Sequence, residues 1–167
     1  SSSAASDVYK RQLIAIPFFI LAGNLMNNGG IAERLVNVAK AIAGRMPGAL
    51  AQTNIIANML FGAISGSGAA AAAAMGGTIG PMAEKEGYDP VYSAAVNIAS
   101  APTGMLIAPS NLMIVYSTIA GSVSVAALFT AGYLPGILWG IIVMVIAGIT
   151  AKKKGYVIKE TVSGKQA

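Results

Sequence analysis

The chain has 167 residues, 55% of them hydrophobic and only 10% charged, with 20 Gly, no Cys and no His. Soluble globular domains carry about 25% charged residues, so this composition excludes an ordinary soluble fold, and the missing cysteines exclude a disulfide framework. The formal net charge is +5, yet Lys and Arg gather at the ends of apolar segments and form no nucleic-acid motif, so the excess reads as topology-setting charge with no nucleic-acid partner.

In chain order, residues 1–12 come first. Asp7-Val8-Tyr9-Lys10-Arg11-Gln12 looks like a translated sequencing adapter behind the low-complexity stretch Ser1 to Ser6. They are expected to be a non-native or disordered leader, with native sequence from Leu13. Residues 13–28 read as a transmembrane helix, with Pro17 in its first turns and a stop at Asn27-Asn28-Gly29-Gly30. Residues 29–46 read as an amphipathic helix. Ile31, Leu35, Val38 and Ile42 recur at helical spacing, while Glu33, Arg34, Asn37, Lys40 and Arg45 take other faces. A basic helix of this length suits the membrane surface.

Residues 47–83 are uncharged and interrupted by Ser65-Gly66-Ser67-Gly68. Two arms of about fifteen residues are each short for a bilayer crossing of roughly 20. They predict a re-entrant hairpin with its tip at Ser65 to Gly68, two complete spans being the alternative. Gly62, Gly76, Gly77 and Gly80 would let the arms pack closely.

From Asp89 to Lys152 no charged residue intervenes. Asp89-Pro90 reads as an N-cap with proline at the first helical position, opening a broken transmembrane helix over 89–120. Pro102-Thr103-Gly104 is the expected stop of its first half, and Ser110-Asn111 the cap of its second. Residues 123–151 predict a last span, with a stripe of small residues at Gly132, Gly136 and Gly140. Residues 152–167, opening with Lys152-Lys153-Lys154, read as a tail or loop. The basic loops fall on one side of the membrane and the positive-inside rule makes that side cytoplasmic. Both readings of residues 47–83 satisfy this rule.

Non-helical backbone at membrane depth survives where protein buries it or where it lines a wet cavity, and transporters bind ions and substrates at such breaks. No carboxylate, lysine or histidine lies in the later apolar segments, so ion coupling there has to use neutral oxygens. Ser65, Gly66, Ser67, Gly68, Asn97, Thr103 and Gly104 are the candidate cation ligands. The amino end of a half-helix favours a carboxylate, which makes Pro109, Ser110 and Asn111 candidate substrate contacts. No catalytic residue and no resident cofactor is expected. A serine protease reading of Ser65 or Ser67 fails for want of a base.

Ile16-Pro17-Phe18-Phe19-Ile20-Leu21-Ala22-Gly23, Gly29-Gly30-Ile31 with Arg34-Leu35, Ile64-Ser65-Gly66-Ser67, Glu86-Gly87-Tyr88-Asp89-Pro90 and Ala108-Pro109-Ser110-Asn111 with Ile114-Val115-Tyr116 follow one another in an order that resembles the large membrane subunit of tripartite ATP-independent periplasmic (TRAP) transporters. The resemblance covers nearly everything from Leu13 to Tyr156. It implies an all-α integral membrane fold, one repeat of an inverted-repeat elevator carrier. It also implies a multi-pass protein of the bacterial inner membrane that imports organic anions, often carboxylates, with sodium as coupling ion. The implied partners are the lipid bilayer, a small membrane subunit and a periplasmic substrate-binding protein. Two departures stand out: Ala108 replaces a second proline, and no acidic residue occurs in Ala70 to Ala74. Another anion/sodium symporter of similar architecture, and a structural membrane module without transport activity, are the competing readings.

Overall fold

The computed structural model describes residues 29–107, 110–120 and 123–156, together with Pro17, Phe18, Leu21 and Leu25. The leader expected over 1–12 lies outside the described residues, as does most of 13–28, whose four described members are helical. The rest of the described chain is a helical bundle without strands: α1 (Ile31–Ala43), α2 (Ala49–Ser65), α3 (Gly68–Lys85), α4 (Pro90–Leu106), α5 (Asn111–Ala120) and α6 (Val125–Lys153).

Helix α1 starts behind Gly30, whose φ of 73° only glycine adopts without strain. Its packed side is Ala32, Val36 and Ala39, set against Phe61 of α2 and Ala71, Met75 and Ile79 of α3. The stripe expected from the sequence sits mostly outside this contact, with Val38 51% and Ile42 60% exposed. Both stripes belong to one apolar arc, and the small residues win the inner half because they let helices approach closely.

Helices α2 and α3 form the hairpin, joined by only Gly66 and Ser67. Gly66 takes φ 64° and returns its N–H to Gly62 O, and Ser67 caps α3 by accepting from Ala70 N at 3.3 Å. At about 1.5 Å per residue, arms of 17 and 18 residues are some 26 and 27 Å long, shorter than the roughly 30 Å of a bilayer core. Helix α6, with 29 residues, is the one described helix long and apolar enough to cross on its own.

The expected stop at Pro102-Thr103-Gly104 is not where the helix ends. Helix α4 runs through Pro102 to Leu106 and leaves helical geometry at Ile107, which has φ −84° and ψ 127°. A proline inside a helix removes one hydrogen bond and costs about 3 kcal/mol unless neighbours compensate. Here the Trp139 indole N–H of α6 donates to Ala99 O at 2.9 Å, in the turn before Pro102. Thr103 Oγ1 donates to Ser100 O at 2.5 Å. The second proline in sequence, at 109, disfavours helix at the residue before it, and that accounts for a break at 107–110.

One end of the bundle is tied together by polar and aromatic contacts. Asp89 caps α4 through Val91 N and pairs with Lys154 at 2.6 Å, while Tyr156 Oη accepts from Asp89 N at 2.9 Å. The rings of Tyr88 and Tyr156 stack at 4.4 Å. Tyr92 Oη donates to Ala147 O at 2.8 Å, and Gly48 abuts Ala151. Arg45, Lys85, Lys152 and Lys153 follow or precede these contacts by a few residues, so the basic residues share this end. From there α6 runs antiparallel to α2 and α4, with Gly148 facing Gln52, Gly140 facing Met59, and Gly136 and Gly132 facing Leu106.

Candidate functional site

The hairpin tip is built where two helix ends meet. The carboxyl end of α2 leaves carbonyls without helical donors, and the amino end of α3 leaves free N–H groups. Ser65 is buried, and its hydroxyl lies 3.4 Å from both the N–H and the carbonyl oxygen of Ser67. The tip rests on the last turns of α4: a Cβ at Gly68 would strike Met105 and come within 3.1 Å of Ala101 O. One turn down, Gly62 and Gly104 touch backbone to backbone. Ser65, Gly66, Ser67 and Gly68 therefore sit beside the last turns of α4, with Gly104 one turn below, against Gly62.

The carbonyls of Pro102 and Thr103 are not freed, because α4 stays helical to Leu106. Thr103 O accepts from Ile107 N at 3.1 Å, which closes the last α4 bond. Beyond it, Pro109 has no N–H to offer the Met105 carbonyl in an α-helical bond. Thr103 itself is fully buried with its hydroxyl hydrogen committed to Ser100 O. It lies seven residues beyond Val96, on the stripe of α4 that packs with Ile55 of α2 and Ala147 of α6.

Asn97 stands apart from the tip. Its Nδ2 donates to Ala72 O at 2.8 Å and its Oδ1 accepts from Asn58 Nδ2 at 2.9 Å. Asn58 lies seven residues before Ser65, about 10 Å down the helix. Sequence reasoning overlooked the polar residues of α2, where Gln52, Thr53, Asn54 and Asn58 are all buried. The signal was present: Asn54 and Asn58 are four apart in an apolar helix, and polar side chains at that spacing share a face.

At the break, Ser110 is fully buried, its carbonyl accepts from Ile114 N at 3.2 Å, and its hydroxyl has no hydrogen-bond partner among the described residues. Asn111 opens α5. Pro109 lies outside the described residues, as does the side chain of Asn111. An apolar groove of about 540 Å³ runs beside the break between α4, α5 and α6, with Pro102, Met105, Met113, Tyr116 and Trp139 in its walls.

This order of arm helix, glycine-tipped hairpin, broken helix and long span has a match. The family described as the DctM component of the tripartite ATP-independent periplasmic transporter matches residues 3–167. The chain belongs to that family. Members of the family are integral membrane proteins. The chain is 58% identical over 154 residues to the protein YgiK of Salmonella typhimurium, covering 92% of this chain and 35% of YgiK. It is 42% identical over 142 residues to the C4-dicarboxylate TRAP transporter large permease protein DctM of Pseudomonas aeruginosa, covering 85% of this chain and 33% of that protein. It is also 42% identical over 144 residues to the sialic acid TRAP transporter permease protein SiaT of Haemophilus influenzae, covering 86% and 23%. The TRAP chain thus spans about a third or less of the length of these relatives.

Proposed function

We propose that the chain is part of a sodium-coupled importer of organic anions in the bacterial inner membrane, fed by a periplasmic binding protein and assisted by a small membrane subunit. The observation that carries this reading is the packing of the Ser65 to Gly68 tip on the last turn of α4, next to the break at 107–110. Sodium is held there by neutral oxygens: the Ser65 and Ser67 hydroxyls, carbonyls at the end of α2, and carbonyls after Thr103 in α4. A neutral set suits a monovalent ion, since divalent ions normally draw carboxylates. The anion binds at the amino end of α5, where the Ser110 hydroxyl is unpartnered and the helix dipole favours negative charge. Two of the similar proteins are named for sialic acid and C4-dicarboxylate, both carboxylates, which supports an organic acid as cargo.

The hairpin is re-entrant in this reading. Support comes from register, because the tip lies level with the part of α6 near Gly136. The eleven residues of α6 before Gly136 continue for about 16 Å beyond it. A tip so placed ends inside the bilayer when α6 crosses it, and the basic end is cytoplasmic.

The test is uptake by the intact transporter in proteoliposomes with its small subunit and binding protein. An inward sodium gradient should drive uptake, and replacing Ser65 and Ser67 by Ala should raise the half-saturating sodium concentration tenfold or more. Uptake that persists unchanged when choline replaces sodium overturns the coupling.

A further inference from the structure

Midway down the hairpin, away from the tip, the amide nitrogen of Asn58 is surrounded by oxygen. Ser100 Oγ lies at 2.8 Å, Asn97 Oδ1 at 2.9 Å, Asn54 Oδ1 at 3.0 Å and Asn97 O at 3.4 Å. An amide nitrogen has two hydrogens to give, so four acceptors oversubscribe it. Asn58 Oδ1, in a side chain with no exposed surface, meanwhile accepts nothing. A buried carbonyl oxygen without a partner is costly and is normally satisfied by a donor or an ion.

We infer that this oxygen cage is a binding site for a monovalent cation, separate from the hairpin tip. The amide nitrogen of Asn58 marks the ion's position. When the ion enters, Asn58 swings aside and offers Oδ1, so that the orphaned oxygen becomes a ligand beside Asn54 Oδ1, Asn97 Oδ1, Asn97 O and Ser100 Oγ.

The surrounding hydrogen bonds hold the cage in the required orientation. Asn97 Nδ2 is fixed on Ala72 O, which turns Asn97 Oδ1 inward. The Ser100 hydroxyl gives its hydrogen to Asn97 O at 3.1 Å and keeps its lone pairs for the centre. All the ligands are neutral, which favours a singly charged ion over calcium or magnesium. Among the described residues no group of three or more His, Cys, Asp or Glu offers a transition-metal site.

A route to the cage is present as well. A crevice of about 310 Å³ between α3 and α4 has Asn54 and Asn97 in its walls and extends to Glu84 and Pro90 at the basic end. Gly76 and Gly80 keep it open: a Cβ at Gly76 would press to 2.9 Å from Asn97 Nδ2. The Glu84 carboxylate places a negative charge along that route, which raises the local cation concentration.

The experiment uses the intact transporter carrying Ser65→Ala and Ser67→Ala, so that the tip site and the cage are read separately. Its thermal unfolding midpoint is followed against sodium, potassium and choline chloride at constant ionic strength. The expected result is a saturable rise with sodium or potassium that choline does not give. Adding Ser100→Ala should raise the half-saturating concentration at least tenfold, and Asn58→Asp, which supplies a carboxylate, should lower it at least tenfold. Crystals soaked in thallium(I) should show anomalous density between Asn54, Asn97 and Ser100. An identical response in choline, half-saturation unmoved by Asn58→Asp, or thallium confined to other positions overturns the site. A half-saturating sodium concentration for uptake that the Ser65/Ser67 replacements leave unchanged, with the cage response intact, counts against the tip reading alone.

Discussion

Gly62 of α2 and Gly104 of α4 pack so closely that a methyl group on either would overlap the Cα of the other. This contact sets the distance between hairpin and broken helix, one turn below the tip. Alanine at either position forces the helices apart, and overpacking of that kind costs about 1–3 kcal/mol, occasionally more. Gly104→Ala should lower the thermal midpoint of the intact transporter and raise the half-saturating sodium concentration together, as measured by a melt and by uptake. Gly80→Ala, whose Cβ would meet nothing within 4 Å, should leave the melt nearly unchanged.

The Asp89–Lys154 pair predicts a pH dependence. Lys154 beside it, and then the Val91 N–H, hold the Asp89 carboxyl below its ordinary value of 3.8. Asp89 in turn raises the Lys154 ammonium above 10.5. For the lowered carboxylate, the stabilisation is present above the unfolded value and is lost as pH falls through the folded one. For the raised ammonium, it is complete below the unfolded value and lost as pH rises through the folded one. The pair therefore contributes between roughly pH 4 and 10.5. Asp89→Asn preserves the helix cap and removes the charge. Its thermal midpoint should fall below that of the parent at pH 7, and the two should converge as pH falls below 3.8 and through the folded-state value of Asp89.

Ser110 gives a test in which stability and activity part company. A buried hydroxyl without a partner costs about 1–3 kcal/mol, so Ser110→Ala should leave the melt unchanged or raise it. If the hydroxyl serves the anion, KM for uptake rises several-fold in the same protein. A variant that melts higher and transports with unchanged KM would exclude Ser110 from the anion site.

Re-entry is tested by cysteine labelling in the intact transporter. Met46 and Lys85 are exposed at the basic end, and both should react with an impermeant reagent from the cytoplasmic side. Ala69 is the suitable tip position, since a side chain at Gly68 would strike Met105. Cysteine at Ala69 that reacts freely with a bulky periplasmic reagent in every transport state points to two full spans.

Much of this fold could be read from residue order. The two helices expected on either side of Ser65 to Gly68 are found as α2 and α3, an arrangement common to both readings of 47–83, and the turn falls at Gly66 because only glycine takes its left-handed φ without strain. The break was misplaced at Pro102 because local sequence treats proline as a stop. The helix continues instead, and the Trp139 indole N–H, 40 positions away, reaches Ala99 O in the turn before Pro102. Asn97 was expected beside the hairpin tip, but its side chain bonds Asn58 and Ala72 lower in the bundle. Its partners Asn58, Ala72 and Ser100 come from three helices, and the meeting of α2 with α4 depends on the approach that Gly62 and Gly104 permit, which no single segment discloses.

The uncharged interior has an electrical consequence. From Pro47 to Ala83, and again from Pro90 to Ala151, the chain carries no formal charge. The opposed dipoles of α2 and α3 largely cancel across the hairpin. A membrane potential does work of about 2.3 kcal/mol per elementary charge per 100 mV on whatever charge crosses it. These helices present none of their own, so the field pulls only on their bound ions. Empty, this part of the protein can change position without electrical work.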